Sequence, residues 1–108
     1  MIARGMTALA ALAVAGAALA QTPAGSAEAG RKKAAMCEGC HGIPGYRTAY
    51  PVVYAVPKLG GQRPEYLVKA LQAYRSGERW HPTMRGIAAG LTDEDMADLA
   101  AYYGGGAK

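Results

Sequence analysis

The stretch Cys37-Glu38-Gly39-Cys40-His41 decides how this chain folds. Its spacing, C-x-x-C-H, is the attachment signature of a c-type haem. Two thiols three positions apart lie on one side of a helical turn, so both can reach the vinyl groups of one porphyrin and become thioethers. The next residue places an imidazole nitrogen, a good iron ligand, beneath the metal. The motif therefore predicts one covalent haem c, bound through Cys37 and Cys40, with His41 as an axial ligand.

Three other chemistries use part of this pattern. A C-x-x-C pair alone also occurs as a redox dithiol, but that motif needs a βαβ context and the sequence shows none. A closed zinc site needs four ligands, and beyond the motif only His81 remains as a nitrogen donor and no cysteine remains. A disulfide between the two cysteines would not require His41. Haem attachment is favoured, because C-x-x-C-H as a whole is a haem signature and the rest of the chain supports it.

The first twenty residues have the organisation of a secretory signal. Arg4 provides a positive charge, an alanine-rich apolar stretch follows from Met6 to Leu19, and Ala18-Leu19-Ala20 is an A-x-A cleavage site. The apolar stretch is shorter than the roughly 20 residues that a membrane span needs. We therefore expect residues 1–20 to be a cleaved signal peptide, the protein to reside in the periplasm, and no stable membrane insertion to remain after cleavage.

The exported part is a single small domain with few large apolar side chains. Its 88 residues contain five Leu, four Val, two Ile and no Phe. Small chains bury a low fraction of their surface and often need a staple such as a metal or disulfide. A covalent haem is a large apolar plate that would complete such a core, which agrees with the motif.

Charge is moderately positive and unevenly distributed. The full chain has 12 Lys and Arg against 8 Asp and Glu, and four of the acids cluster between Asp93 and Asp98. Such a balance is compatible with redox partner proteins that present an acidic docking surface, although ordinary solvated charge gives the same pattern. A nucleic-acid partner is not expected, because no dense basic run with interleaved aromatic residues is present.

Local signals divide the exported chain into an arm, a haem-binding domain and a tail. The small polar residues 21–29 suggest a flexible arm, 30–104 the domain, and 105–108 a frayed tail. Helix propensity, apolar spacing and capping residues predict three main helices joined by long loops. The predicted helices cover 28–40, 64–76 and 92–103, with Ser26, Pro64 and Thr92 at their starts. The first predicted loop covers 42–62, where 52–56 is an alternative strand that has no evident partner. The second covers 78–90 and contains a predicted short helical turn near 85–89.

The sixth iron position has several candidate ligands. Met36 precedes the first cysteine and cannot reach the other face of the ring, while Met96 lies on the apolar stripe of the last helix, where methionine is usually core filler. Met84 follows Pro82 in an irregular segment, and its soft thioether would stabilise reduced iron. Met84 is favoured, with His81 or an open position as alternatives.

Four segments give the chain a resemblance to the small monohaem cytochromes c of bacterial periplasms. They are CEGCHG, PKLGGQRPEYL, LQAYRSGERWHPTM and LTDEDMADLAAYY, and the resemblance extends from Gly30 to Tyr103. It implies an all-α cytochrome c fold, with three main helices and long loops wrapped around one covalent haem. It also implies His/Met ligation, with Met84 as the distal ligand and the Pro57 carbonyl bound to the ring N–H of His41. In this family a small residue of the first helix faces an aromatic residue of the last, which Gly30 or Ala34 against Tyr102 or Tyr103 would match.

The function implied is one-electron transfer by a periplasmic carrier, not enzymatic catalysis. Two alternatives stand beside it: a fixed haem c subunit of a larger periplasmic oxidoreductase, and a ligand-binding or peroxidatic haem with a displaceable sixth ligand. The haem propionates need charged or polar partners. Candidates for that role are Arg63, Arg79, Trp80 and the loop tyrosines Tyr46, Tyr50 and Tyr54.

Overall fold

Helices dominate the computed structural model, which describes residues 24–50 and 52–105. Within those residues, none of the helices has the length and apolar character needed to cross a membrane. The elements in chain order are α1 (Ala27–Lys33), α2 (Ala35–His41), β1 (Arg47–Thr48), β2 (Tyr54–Ala55), α3 (Pro64–Ser76), α4 (Pro82–Ala89) and α5 (Asp93–Gly104). The predicted signal peptide, residues 1–20, lies outside the described part of the chain.

The first predicted helix is divided into two. Ala34 separates α1 from α2, and its N–H bonds to the carbonyl of Arg31, an i to i−3 contact tighter than an α-helical one. Ser26 caps α1 as expected, with its hydroxyl accepting the N–H of Ala29 at 3.2 Å. The prediction of a flexible arm over 21–29 needs correction where it overlaps α1, because the Ser26 N–H is bonded to Asp98 of α5 at 2.8 Å.

A close crossing of α1 and α5 organises the fold. Gly30 is buried there, and a Cβ at this position would collide with the backbone carbonyl of Asp98 and the Cβ of Tyr102. Lys33 forms ion pairs with Asp95 at 2.8 Å and with Asp98 at 2.6 Å. Because Gly30 has no side chain, the backbones of α1 and α5 can approach closely, and the ion pairs of Lys33 lie beside this contact.

The core lies between α3 and α5 and extends to the start of α2. Buried side chains from all three regions form one cluster, consisting of Ala34, Leu67, Val68, Leu99, Ala100 and Tyr103. Cys37 packs against this cluster. The haem-attachment motif therefore packs directly against the apolar core cluster in the described part of the chain.

The two later main helices follow the sequence closely. α3 begins at Pro64 and ends before Gly77. Gly77 has a positive φ of 84°, a left-handed backbone conformation that glycine adopts more easily than other residues. α5 begins with a capping box, in which Thr92 and Asp95 exchange side-chain-to-backbone hydrogen bonds. Strong local signals therefore define both ends of α3 and the start of α5.

Both predicted loops contain more regular structure than expected. In the first, β1 and β2 pair antiparallel, with Thr48 opposite Tyr54, so the alternative strand does have a partner. In the second, α4 occupies Pro82–Ala89 and replaces the short turn predicted near residue 85. The helix-dominated fold is confirmed, with two additional short helices and a small sheet.

Candidate haem-binding site

The two cysteines lie on α2 and are not paired in a disulfide. Both are half-buried, and they lie three positions apart on one helical face. Burial, followed by the nearby Glu38 carboxylate, raises the pKa of the Cys37 thiol. The two sulfurs are thus presented together from a single helical turn, as attachment to one porphyrin edge requires.

His41 is the last residue of α2, and its ring is fixed by the loop. Its Nδ1 lies 2.6 Å from the carbonyl oxygen of Pro57. A carbonyl oxygen only accepts hydrogen bonds, so Nδ1 must carry the proton. In the neutral ring, Nε2 then has a free lone pair, the form in which imidazole binds a metal.

A second contact holds the motif helix against the core. The Tyr103 hydroxyl of α5 donates a 2.5 Å hydrogen bond to Glu38, the residue after the first cysteine. Burial, and then this carboxylate, raises the pKa of Tyr103 well above its ordinary value. Sequence analysis missed this pair because 65 residues separate its members and no local pattern marks it.

Met84 lies in the first turn of α4 and is half-buried. The other methionines on the described helices are placed differently: Met36 is 52% exposed on α2, and Met96 is fully buried in α5. Among these three, only Met84 is neither enclosed in the core nor largely exposed beside the cysteines.

The ring of His81 is engaged in three contacts. Its Nδ1 accepts the backbone N–H of Met84 at 3.2 Å. The ring stacks on Tyr54, with centroids 4.1 Å apart, and meets the edge of Tyr74 at 5.9 Å. With Nδ1 accepting, the proton of the neutral ring is on Nε2, so neither nitrogen offers a free lone pair to iron in this arrangement.

One short segment links the two halves of the site. Tyr54 stacks on His81, and Pro57, three residues later, bonds to His41. Three residues span at most about 10 Å. The loop therefore connects His41 of α2 with His81 at the start of α4 through these two contacts.

The candidate propionate partners are more dispersed. Arg79 contacts the Tyr66 hydroxyl at 3.3 Å and lies over the Tyr74 ring at 4.9 Å, so its guanidinium rests on α3. Trp80 and Tyr50 are largely exposed, at 69% and 88%. Arg63 is exposed at the start of α3. These contacts do not select one of the candidates, and their role stays a prediction.

The donor set fits a covalent haem c. Two half-buried thiols can form the thioethers, and an oriented imidazole with a free Nε2 lone pair suits one axial position. The half-buried thioether of Met84 on α4 suits the other.

A family model described as cytochrome c matches residues 27–103. Cytochrome c-554(548) of Halomonas halodenitrificans is 45% identical over 83 residues, covering 74% of this chain and 95% of that protein. Cytochrome c4 of Pseudomonas aeruginosa is 42% identical over 80 residues, covering 74% of this chain and 38% of its own length. The cytochrome subunit of sulfide dehydrogenase of Chlorobaculum tepidum is 34% identical over 68 residues, covering 63% of this chain and 57% of that protein.

The fold agrees with these relatives. The crystal structure of reduced cytochrome c4 from Pseudomonas stutzeri superposes with a TM-score of 0.58 and 32% identity. The match covers 77% of this chain and 52% of that chain, so this chain spans about half the length of that structure and less of the curated cytochrome c4. From the motif, the fold and these matches, the chain belongs to the cytochrome c family and carries the attachment site for one covalent haem c.

Proposed function

We propose that the protein is a one-electron carrier and not an enzyme. Cys37 and Cys40 would bind the haem covalently, and His41 and Met84 would be its axial ligands. When bound, the haem supplies iron that alternates between the ferrous and ferric states. The observation that carries the proposal is the hydrogen bond from His41 Nδ1 to Pro57, which leaves Nε2 available beside two thiols of the same helix.

The chain's own residues would tune and stabilise this site. Pro57 orients the His41 imidazole and increases its basicity as a ligand. The thioether of Met84 favours the reduced state and raises the reduction potential. Glu38 and Tyr103 hold the attachment helix on the core. With both axial positions filled, electron transfer requires little rearrangement, which suits a carrier.

Export is the second part of the proposal. Residues 1–20 would be removed as a signal peptide, and residues 30–104, extended by the start of α1, would function in the periplasm. The exported chain has 11 basic and 8 acidic residues, which favours redox partner proteins with an acidic docking surface. No nucleic-acid partner and no stable membrane insertion after signal cleavage are proposed.

A second candidate is a fixed haem c subunit of a larger oxidoreductase. Its support is the similarity to the cytochrome subunit of sulfide dehydrogenase. Gel filtration of native extract separates the two candidates. A carrier elutes as a small haem protein alone, whereas a subunit elutes together with a catalytic partner.

The ligand assignment is tested with the Met84→Ala variant of the holoprotein. Met36→Ala is the matched control, because this methionine is half exposed on α2. We expect wild type and Met36→Ala to show a methionine–iron charge-transfer band when oxidised, and to bind no carbon monoxide at neutral pH when reduced. Met84→Ala should lose the band and bind carbon monoxide. An unchanged spectrum of Met84→Ala would show that another residue is the sixth ligand.

A further inference from the structure

His81 joins three elements that surround the proposed sixth ligand. Its ring lies on Tyr54 of β2, with the planes 25° apart, and meets the edge of Tyr74 of α3 at 78°. The residue itself directly precedes Pro82, the first residue of α4. The orientation of the imidazole is therefore set by contacts outside the helix that it begins.

The same ring caps α4. His81 has the extended backbone of an N-cap residue, and its Nδ1 accepts the N–H of Met84, the third residue of the helix. Capping of this N–H is usually done by Ser, Thr, Asp or Asn. Here, the imidazole of His81 caps the helix, and two tyrosines hold that ring. The N–H that it accepts belongs to Met84, the residue proposed as the iron ligand.

We propose that His81 is a positioning residue for Met84: the acceptor that its ring supplies to the Met84 N–H fixes the first turn of α4, so that the Met84 thioether is presented to the iron. The inference rests on the proposed function, because it takes Met84 as the sixth ligand. His81 acts through the backbone of Met84 and does not bind the metal itself. This assigns a role to a histidine that otherwise resembles a rival ligand.

Three substitutions distinguish the hydrogen-bond acceptor of His81 from its aromatic ring. His81→Asn keeps an acceptor for the Met84 N–H but removes the aromatic ring. His81→Phe keeps a ring for stacking on Tyr54 but removes the acceptor. His81→Ala removes both. Each variant is prepared as the haem-loaded protein, and uptake of one haem together with helical content shows whether it has folded.

The readouts are the methionine–iron charge-transfer band of the oxidised protein and the dissociation constant of added imidazole. Imidazole binds ferric iron only when Met84 leaves, so anything that stabilises the bound methionine weakens imidazole binding. Loss of the cap should tighten imidazole binding about fivefold in His81→Phe and His81→Ala, equivalent to about 1 kcal/mol. His81→Asn should stay within about twofold of wild type.

Several results would overturn the inference. His81→Phe matching wild type while His81→Asn binds imidazole more tightly would show that stacking matters and the cap does not. Equal affinities in all four proteins would remove any positioning role, and if the phenylalanine variant fails to fold, the asparagine variant still distinguishes a cap from a ring. If the wild-type protein shows the methionine–iron band and the variants bind imidazole as it does, only the positioning role of His81 is refuted. If the wild-type protein lacks that band, the assignment of Met84 as sixth ligand is refuted, and the positioning role of His81 with it.

Discussion

Replacing Gly30 by alanine tests whether the close crossing of α1 and α5 stabilises the domain. The added methyl would overlap the backbone carbonyl of Asp98 and the Cβ of Tyr102. Neither atom belongs to the far end of a flexible side chain, so the collision is relieved only if the helices separate. Separation would also lengthen the hydrogen bond from the Ser26 N–H and the ion pairs of Lys33 with α5.

The magnitude follows from two opposed effects. Overpacking of a tight interior contact costs about 3 kcal/mol at the upper end of its usual range. Alanine in place of glycine within a helix contributes up to about 1 kcal/mol in the other direction. We therefore expect Gly30→Ala to lower the free energy of unfolding by about 2 kcal/mol. In a domain of this size, that change lowers the melting temperature by about 8 to 16 °C.

The assay is thermal and denaturant unfolding of the haem-loaded protein, followed by circular dichroism and haem absorbance. Gly86→Ala is the matched control, since Gly86 lies inside α4 and a Cβ there meets no atom within 4 Å beyond the adjacent residues and the backbone of its own helix. The control should be neutral or slightly stabilised. A Gly30→Ala protein as stable as wild type would refute the argument that this backbone contact needs glycine.

Two further predictions concern charged contacts. The hydrogen bond from Lys33 lowers the pKa of Asp95 to about 2; stability from this pair is present above the ordinary carboxyl pKa of about 3.9 and is lost as pH falls towards 2. In urea unfolding, Lys33→Met should therefore be less stable than wild type at pH 6, and the difference should shrink steadily as pH falls from about 4 towards 2. Lys32→Met, altered at an exposed neighbour, should match wild type throughout; a Lys33→Met difference that does not shrink over this range would contradict the linkage. Tyr103→Phe leaves Glu38 without its donor and should cost about 1.5 to 3 kcal/mol in denaturant unfolding, and unchanged stability would show that water replaces the hydroxyl.

Local rules predicted the parts of the fold whose signals are close together in the sequence. α3 has Pro64 at its start and Gly77 at its end, and both act on the helix through neighbouring backbone groups. The capping box of α5 works between residues three apart. The attachment motif is equally local, because five consecutive residues contain both thiols and the imidazole.

Local rules failed where the decisive partner is distant. The pairing of β1 with β2 has only two residues on each strand, too few to give a pattern of alternation. The N-cap of α4 is His81, a residue type that sequence rules do not count among the usual N-caps, and its ring is held by tyrosines 27 and 7 residues earlier. The division at Ala34 lies within a continuous run of helix-favouring residues.

The sequence by itself determined the cofactor chemistry, because covalent attachment depends on the order of cysteine, cysteine and histidine along one turn. It also determined α3 and α5, whose ends are set by residues within one turn of them. Only the tertiary structure decided which nitrogen of His41 is free, through Pro57, and which nitrogen of His81 is occupied, through the Met84 N–H. Those two facts depend on hydrogen bonds whose geometry exists only once the loop and α4 have packed around the motif.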